Sequence, residues 1–226
     1  MKKFVLCAAA ALAALSLNAQ TLYNKVTTTP IDWTGTYLIV CESENVVFNG
    51  GADTTGIDAK GGAAILTEGF TISEDVLTGS QTVDTATFTI AATEDIDWPW
   101  YIKSQSGLYL GHKDEDDNGL SAELELKNKC RQTLEIDGEG NLIAVARYEE
   151  FGPYNLQYNK ADDQLRFRYY KSGKKEAIQI YRLTEVPSGL NTATHTIPAC
   201  RKIFRNGQVL IIKNGATYNA LGILEK

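Results

Sequence analysis

From residue 35 onward, apolar and polar positions alternate in short runs rather than at helical spacing. "GTYLIVCE", "ATFTIAA", "WYIKS", "GLYLGH", "TLEIDGEGNLIAVA", "YNLQYN", "LRFRYY" and "AIQIYRL" are rich in Tyr, Ile, Val, Phe and Thr. Gly, Asn, Asp and Ser separate them, the pattern of strands joined by turns. "IDGEGNLI" predicts a hairpin whose turn is supplied by Asp137, Gly138, Gly140 and Asn141. No stretch beyond residue 20 keeps apolar residues at i, i+3, i+4 and i+7 between caps, so no long helix is expected and the body reads as all-β.

Three blocks repeat loosely, starting at Gly35, Trp100 and Gly140. Each carries a strand with an isoleucine (Ile39, Ile102, Ile143), then a turn and a short strand ending near Gly50, Gly111 or Asn159. Phe88 to Ile90 and Leu134 to Ile136 precede the second and third blocks in the same manner. Three strand quartets around one core predict a β-trefoil-like closed barrel, which leaves few sheet edges free. A two-sheet β-sandwich is the alternative.

The ends read differently. "MKKFVLCAAAALAALSLNAQ" has two lysines, an apolar run from Phe4 to Leu17 and a small residue at Ala19, so residues 1–19 are expected to be a secretory signal peptide. Neither that run nor any later one is long enough to predict a transmembrane span. Residues 20–184 form the expected body. Residues 185–199, "EVPSGLNTATHTIPA", hold two prolines and no period, and are expected to be a linker. Residues 200–226 predict a small three-stranded β unit, with strands at 202–204, 209–213 and 217–220 and Asn-Gly turns between them.

Charge narrows the partners. The formal charge of -6 becomes -8 once Lys2 and Lys3 are removed with the signal. Gln20 to Leu190 holds 15 Lys and Arg against 27 Asp and Glu, a net of -12. Such a body repels phosphate backbones, so nucleic acid is not an expected partner. Loss of Cys7 leaves Cys41, Cys130 and Cys200, an odd number that makes no disulfide framework. Cys41 with Cys130 is the one body pair open to bridging, against the reading of Cys41 as a small buried hydrophobe.

The chain offers few candidates for chemistry. Asp114, Asp116, Asn118, Gly119 and Glu125 match the D-x-D-x-N-G-x5-E spacing of a calcium loop. Position 8 of that loop is Ser121, however, and the flanks read as strands. Alternation in "AELELK" then sets Leu124 and Leu126 on one face and Glu125 toward solvent, which favours an acidic turn, with calcium bound by Asp114, Asp116, Asn118 and Glu125 as the alternative. In "RFRYYKSGKKE", Arg166, Arg168 and Tyr170 share a face, where guanidinium beside a phenol ring suits an anionic sugar or a phosphate. The competing reading puts Phe167 and Tyr169 in the core and pairs the arginines with surplus acids. Trp33, Trp98 and Trp100 are candidates for sugar stacking or for the core. Only His112 and His195 are present, and no nucleophile and base stand together, so no catalytic residue and no obligatory cofactor are expected.

Two resemblances add an address. "KIFRNGQVLIIKNGATYNALG" resembles the C-terminal sorting-domain-like tails of exported Bacteroidetes proteins, through Arg205 to Gln208, Val209 to Lys213, Gly215, Tyr218 and Gly222. It implies handling by a type IX secretion machine and a secreted or cell-surface location. The copy ends in "ILEK", shorter than the full sorting domain, so the periplasm is the alternative. "DWTGTYLIVCESENVVFNG", "YIKSQSGLYLG", "LRFRYYKS" and "AIQIYRL" resemble an uncharacterised β module of the same exported proteins. The expected function is that of an exported non-catalytic binding module for a glycan or a cell-surface partner. It would use surface loops and the aromatic residues Tyr109, Tyr154, Tyr158 and Tyr170 beside Arg166 and Arg168. A structural matrix protein assembling by strand edges is the alternative, and a hydrolase using two carboxylates the third.

Overall fold

A computed structural model describes residues 20–113, 115–171 and 175–184, and the backbone of 201–205, 208–213 and 216–219. The expected signal peptide and linker, with His195 and Cys200, lie outside the described residues, as do Asp114 and both Asn-Gly turns of the tail. The chain divides into two compact units between Thr184 and Glu185.

The body is all-β. Its strands are β1 (Thr21–Lys25), β2 (Gly35–Cys41), β3 (Val46–Phe48), β4 (Ile65–Leu66), β5 (Phe70–Ser73), β6 (Val76–Gly79), β7 (Phe88–Ala92) and β8 (Trp100–Ser104). They continue with β9 (Tyr109–Gly111), β10 (Ser121–Glu123), β11 (Arg131–Ile136), β12 (Leu142–Ala146), β13 (Asn155–Asn159), β14 (Arg166–Tyr170) and β15 (Gln179–Leu183). One four-residue helix, α1 (Gln81–Asp84), follows β6. Among the described residues no helix is long and apolar enough to cross a membrane.

These fifteen strands form one large antiparallel sheet, not the two separate sheets of a sandwich. β2 lies between β15 and β7, with Ile39 opposite Ile180 and Tyr37 opposite Phe88. β7 pairs with β8, β8 with β11 and β11 with β12, placing Ile90 opposite Ile102 and Leu134 opposite Ala144. At the start of β12 the Leu142 N–H donates to the Ile178 carbonyl at 2.8 Å, and Gln179 Nε2 donates to Asn141 Oδ1 at 2.7 Å. Three short ladders, β3–β4, β9–β10 and β13–β14, hang from β2, β8 and β12. The expected hairpin joins β11 to β12, with Asp137 Oδ1 accepting the N–H groups of Glu139 and Asn141.

Two apolar clusters hold the sheet. Ile39, Phe48, Phe88, Ile90, Ile102, Leu110, Ala144, Leu156 and Phe167 belong to the larger one. Leu38, Val40, Tyr23, Leu77, Val83 and Tyr181 form the smaller, where β1, β6 and α1 cover the other face of β2 and β15. β2 is therefore buried on both faces, which is why "TYLIVC" is a continuous apolar run and not an alternating one. Each fully buried Leu, Ile or Val contributes about 1.5–3 kcal/mol.

β12 turns Leu142, Ala144 and Ala146 inward and leaves Ile143 half-buried on the other face. One local expectation is corrected. Leu124 and Leu126 do not share a buried face, since they are 76% and 37% exposed. The chain leaves the ladder after Glu123, whose carboxylate is drawn to Lys127 at 2.5 Å and Lys129 at 2.7 Å, and enters a 3-10 turn at Asn128–Cys130.

The tail is described by itself. β16 (Arg201–Arg205), β17 (Gln208–Lys213) and β18 (Ala216–Asn219) make a three-stranded antiparallel sheet with β17 central.

Candidate functional site

The arginine candidates on β14 are engaged within the protein. Arg168 clamps Asp58 with both edges of its fork, Nε to Oδ1 at 2.7 Å and Nη2 to Oδ2 at 2.5 Å, while Nη1 donates to the Asn118 carbonyl. Arg166 donates to the Asp58 carbonyl at 3.1 Å and to the Gln164 side chain. A bidentate pair of this kind uses up the geometry an incoming anion would need. Phe167 and Tyr169 are in the core, and Tyr158 and Tyr170 are buried as well. The face expected to present Arg166, Arg168, Tyr158 and Tyr170 to a ligand is thus spent on internal packing and pairing. Trp33 is also buried, and Trp98 sets its edge against Tyr148.

The acidic loop closes on a lysine. Lys171 Nζ lies 2.6 Å from Asp116 Oδ1 and holds that carboxyl below the usual range, and the Lys171 N–H donates to Asn118 Oδ1. The Tyr154 hydroxyl donates to the same Asp116 oxygen. His112 is buried, stacked on the Tyr154 ring at 3.7 Å, with Nε2 2.8 Å from the Asp117 carbonyl. Asp116, Asp117, Asn118, Tyr154 and Lys171 line a small cavity of about 200 Å³. Glu125 is exposed beyond the end of β10. Among the described residues no group of three or more His, Cys, Asp and Glu is placed to hold a metal ion.

Both described cysteines are free and buried, so Cys41 and Cys130 do not bridge. Burial pushes the Cys130 thiol up to about 11 and raises Cys41 too. Neither is a thiolate at neutral pH.

Tyr109 alone among the tyrosine candidates meets a second aromatic ring on a half-exposed face. Its ring stands edge-on to Tyr101 at 5.2 Å, and Lys103 Nζ sits 4.6 Å above it. Glu123 is opposite Tyr109 in the next ladder. Hydrogen bonds from Lys127 and then Lys129 pull the Glu123 carboxyl down to about 2. A depressed carboxyl stabilises the fold above its unfolded value near 4.5, and that contribution is lost as the pH falls toward 2. Glu123→Gln should therefore lower Tm at pH 7 by about 1–3 °C, and the gap should shrink by more than half at about pH 2.5. Thermal melts at the two pH values check this; an equal gap at both pH values would refute the assignment.

A larger cleft lies elsewhere, in a segment where no site was expected. It measures about 810 Å³ and is lined by Gln20, Gly69, Phe70, Thr71, Thr78, Gly79, Ser80, Gln81, Thr82 and Asp84. β5 and β6 make one wall, joined by a two-residue turn in which Glu74 (φ 50°) and Asp75 (φ 63°) are both left-handed. Phe70 and Ile72 face the smaller apolar cluster, which leaves Thr71 exposed with its ladder partner Thr78 beside it. α1 makes the other wall and sits close on Gly79, where an added Cβ would meet Val83 at 3.1 Å. Ser80 donates its N–H to the Gly69 carbonyl and so ties the two walls. Asp84 is fixed at the edge, its two oxygens each accepting at 2.8 Å from the Thr21 and Tyr23 hydroxyls. Burial, and then the bond to Asp84, push the Tyr23 phenol up.

The lining carries hydroxyls, two side-chain amides, one aromatic ring and one carboxylate, and no cationic side chain. That set donates and accepts hydrogen bonds without favouring an anion. No family model and no curated protein matches this chain.

Proposed function

We propose that the chain is an exported, non-catalytic binding module whose β5–β6–α1 cleft takes a neutral oligosaccharide. The observation that carries this is the composition of the cleft wall. Sugar hydroxyls need partners that both donate and accept, which Thr71, Thr78, Thr82, Gln20 and Gln81 supply. Pockets of about 300–1,000 Å³ with a few convergent polar groups are the usual form of small-ligand sites. The non-catalytic part draws on the buried, protonated thiols and on His112 packed against Tyr154.

The same reading takes residues 1–19 as an export signal and 200–226 as the part handed to a secretion machine, on the sequence features given above. It also takes the body as a closed β-trefoil. The cycle of pairings β2–β7–β8–β11–β12, the bond from Leu142 to Ile178 just before β15, and the return of β15 to β2 support closure. The three ladders hung from β2, β8 and β12 match the three cap hairpins of that fold.

The test is binding of neutral and acidic oligosaccharides to the purified full chain on an array, followed by calorimetry. A neutral oligosaccharide should bind, and Gln81→Ala, at an exposed position, should weaken it about 3- to 10-fold without changing the melt. Silence toward all neutral sugars rejects the cleft. Turnover of the bound sugar replaces the module with the carboxylate hydrolase. A mass that climbs with concentration on light scattering, with no sugar bound, favours assembly through the outer edge of β5, which ends the sheet.

A further inference from the structure

The half-exposed face of β8, β9 and β10 gathers groups that the cleft does not use. Register fixes them. Lys103 is opposite Tyr109, Tyr109 is opposite Glu123, and Tyr101 is opposite Arg131. Residues directly opposite in antiparallel strands project to the same side, and Tyr101 and Lys103 are two apart on one strand. All of these side chains therefore stand on one face. Lys127 and Lys129 join them through Glu123, and Arg131 reaches Asp95 at 2.9 Å.

Charge sets this face apart from the rest of the body. Lys103, Lys127, Lys129, Arg131 and Arg147 stand on or beside this face; Glu123 pairs with Lys127 and Lys129, and Asp95 with both arginines. The body as a whole has 27 acids to 15 bases. Among the described residues Lys103 has no carboxylate within ion-pair distance; its ammonium rests on the Tyr109 ring instead. A cation held over a ring in an acid-rich body is a charge without its natural partner.

We propose that Tyr101, Tyr109 and Lys103 form a second site, which takes one acidic sugar unit of a glycan. The sugar ring packs on the tyrosine pair, and its carboxylate meets the Lys103 ammonium. A single carboxylate suits the site better than a long polyanion. The net charge of -12 on the surrounding body opposes a chain of negative charges, whereas one carboxylate within an otherwise neutral glycan feels mainly the nearby lysine. At physiological salt, charges more than about 8 Å away are largely screened. Glu123 sets the strength of the site, because its ion pairs with Lys127 and Lys129 keep those cations from the ligand.

Calorimetry of the full chain with a glucuronide-ended disaccharide and its glucose-ended counterpart tests the proposal. The glucuronide should bind at least about 10-fold tighter than the glucoside, and raising NaCl from about 0.05 M to about 0.5 M, which shortens the screening length, should remove most of that difference. Lys103→Gln should weaken the glucuronide about 10-fold and leave the glucoside unchanged. Tyr109→Ala should weaken the glucuronide, while Tyr109→Phe keeps the ring and most of the binding. Glu123→Gln should strengthen the glucuronide by releasing Lys127 and Lys129, an effect that a merely structural role for this face does not produce. Equal affinity for the two sugars, or a Lys103→Gln protein that binds the glucuronide as well as its parent, overturns the proposal. Gln81→Ala should leave glucuronide binding untouched, so failure here is separable from failure of the cleft.

Discussion

Phe167→Ala should cost the body about 3–5 kcal/mol and lower its Tm by roughly 10 °C. Phe167 is fully buried on β14 and stacks on Phe48 of β3, with centroids 4.7 Å apart and planes 10° from parallel. It also meets Tyr158 of β13 at 5.0 Å, and Phe48 in turn meets Phe88 of β7 at 4.9 Å. Removing the ring leaves a void between strands that are fixed by their own ladders and so collapse little. With a typical domain stable by about 5–15 kcal/mol, a large share of the margin goes with it. Urea unfolding reads the loss directly. A cost below about 1 kcal/mol would mean that this aromatic group is not the centre of the core.

Gly111→Ala is the second large effect, and its cause is different. A Cβ at Gly111 would lie 2.1 Å from the Lys129 carbonyl oxygen and 2.9 Å from the Cys130 Cα. Both obstacles are backbone, so no rotamer change relieves them, and β9 must move away from the 3-10 turn beneath it. The expected cost is about 3 kcal/mol or more. Gly107 is the control. Nothing lies within 4 Å of its Cβ position, and only its φ of +94° disfavours a side chain. Gly107→Ala should therefore cost about 1 kcal/mol. Equal losses at the two positions would mean that space at Gly111 is not the constraint.

Gly111 also explains part of what the sequence repeats. Gly50 occupies the matching place in the first block, and a Cβ there would meet the Thr87 carbonyl at 2.3 Å. Thr87 immediately precedes β7, and Cys130 immediately precedes β11. In both blocks the short ladder strand runs so close to the chain entering the next long strand that only glycine fits. That periodic need, with the apolar runs, made the all-β body and the strand groups legible. The third block keeps its isoleucine on β12, but the residues that face inward there are Leu142, Ala144 and Ala146.

The candidate site was much less legible. β5 and β6 are short and rich in Thr, Ser and Gly, and their turn is Glu74 and Asp75 rather than Asn-Gly, so neither strand announces itself. The cleft exists only because that hairpin meets α1. On β14 the alternation was readable, but the partner that occupies Arg168 is Asp58, 110 residues earlier in the chain. No local pattern indicates an ion pair across that distance. Tyr109 could be nominated as an exposed aromatic residue, whereas its pairing with Tyr101 and Lys103 follows from strand register, which one strand by itself does not specify.

β15 lies between β1 and β2, the first two strands of the body. A nascent chain can pair β1 with β6 and β2 with β7 early, but the gap between those two assemblies stays open until residues 179–183 arrive. The interval from β2 to β15 spans about 140 residues, so closing it carries a loop-entropy cost that local contacts have not yet offset. Native structure is therefore completed only after the last body strand has been synthesised, and chains that stop short of Gln179 present two unsatisfied strand edges.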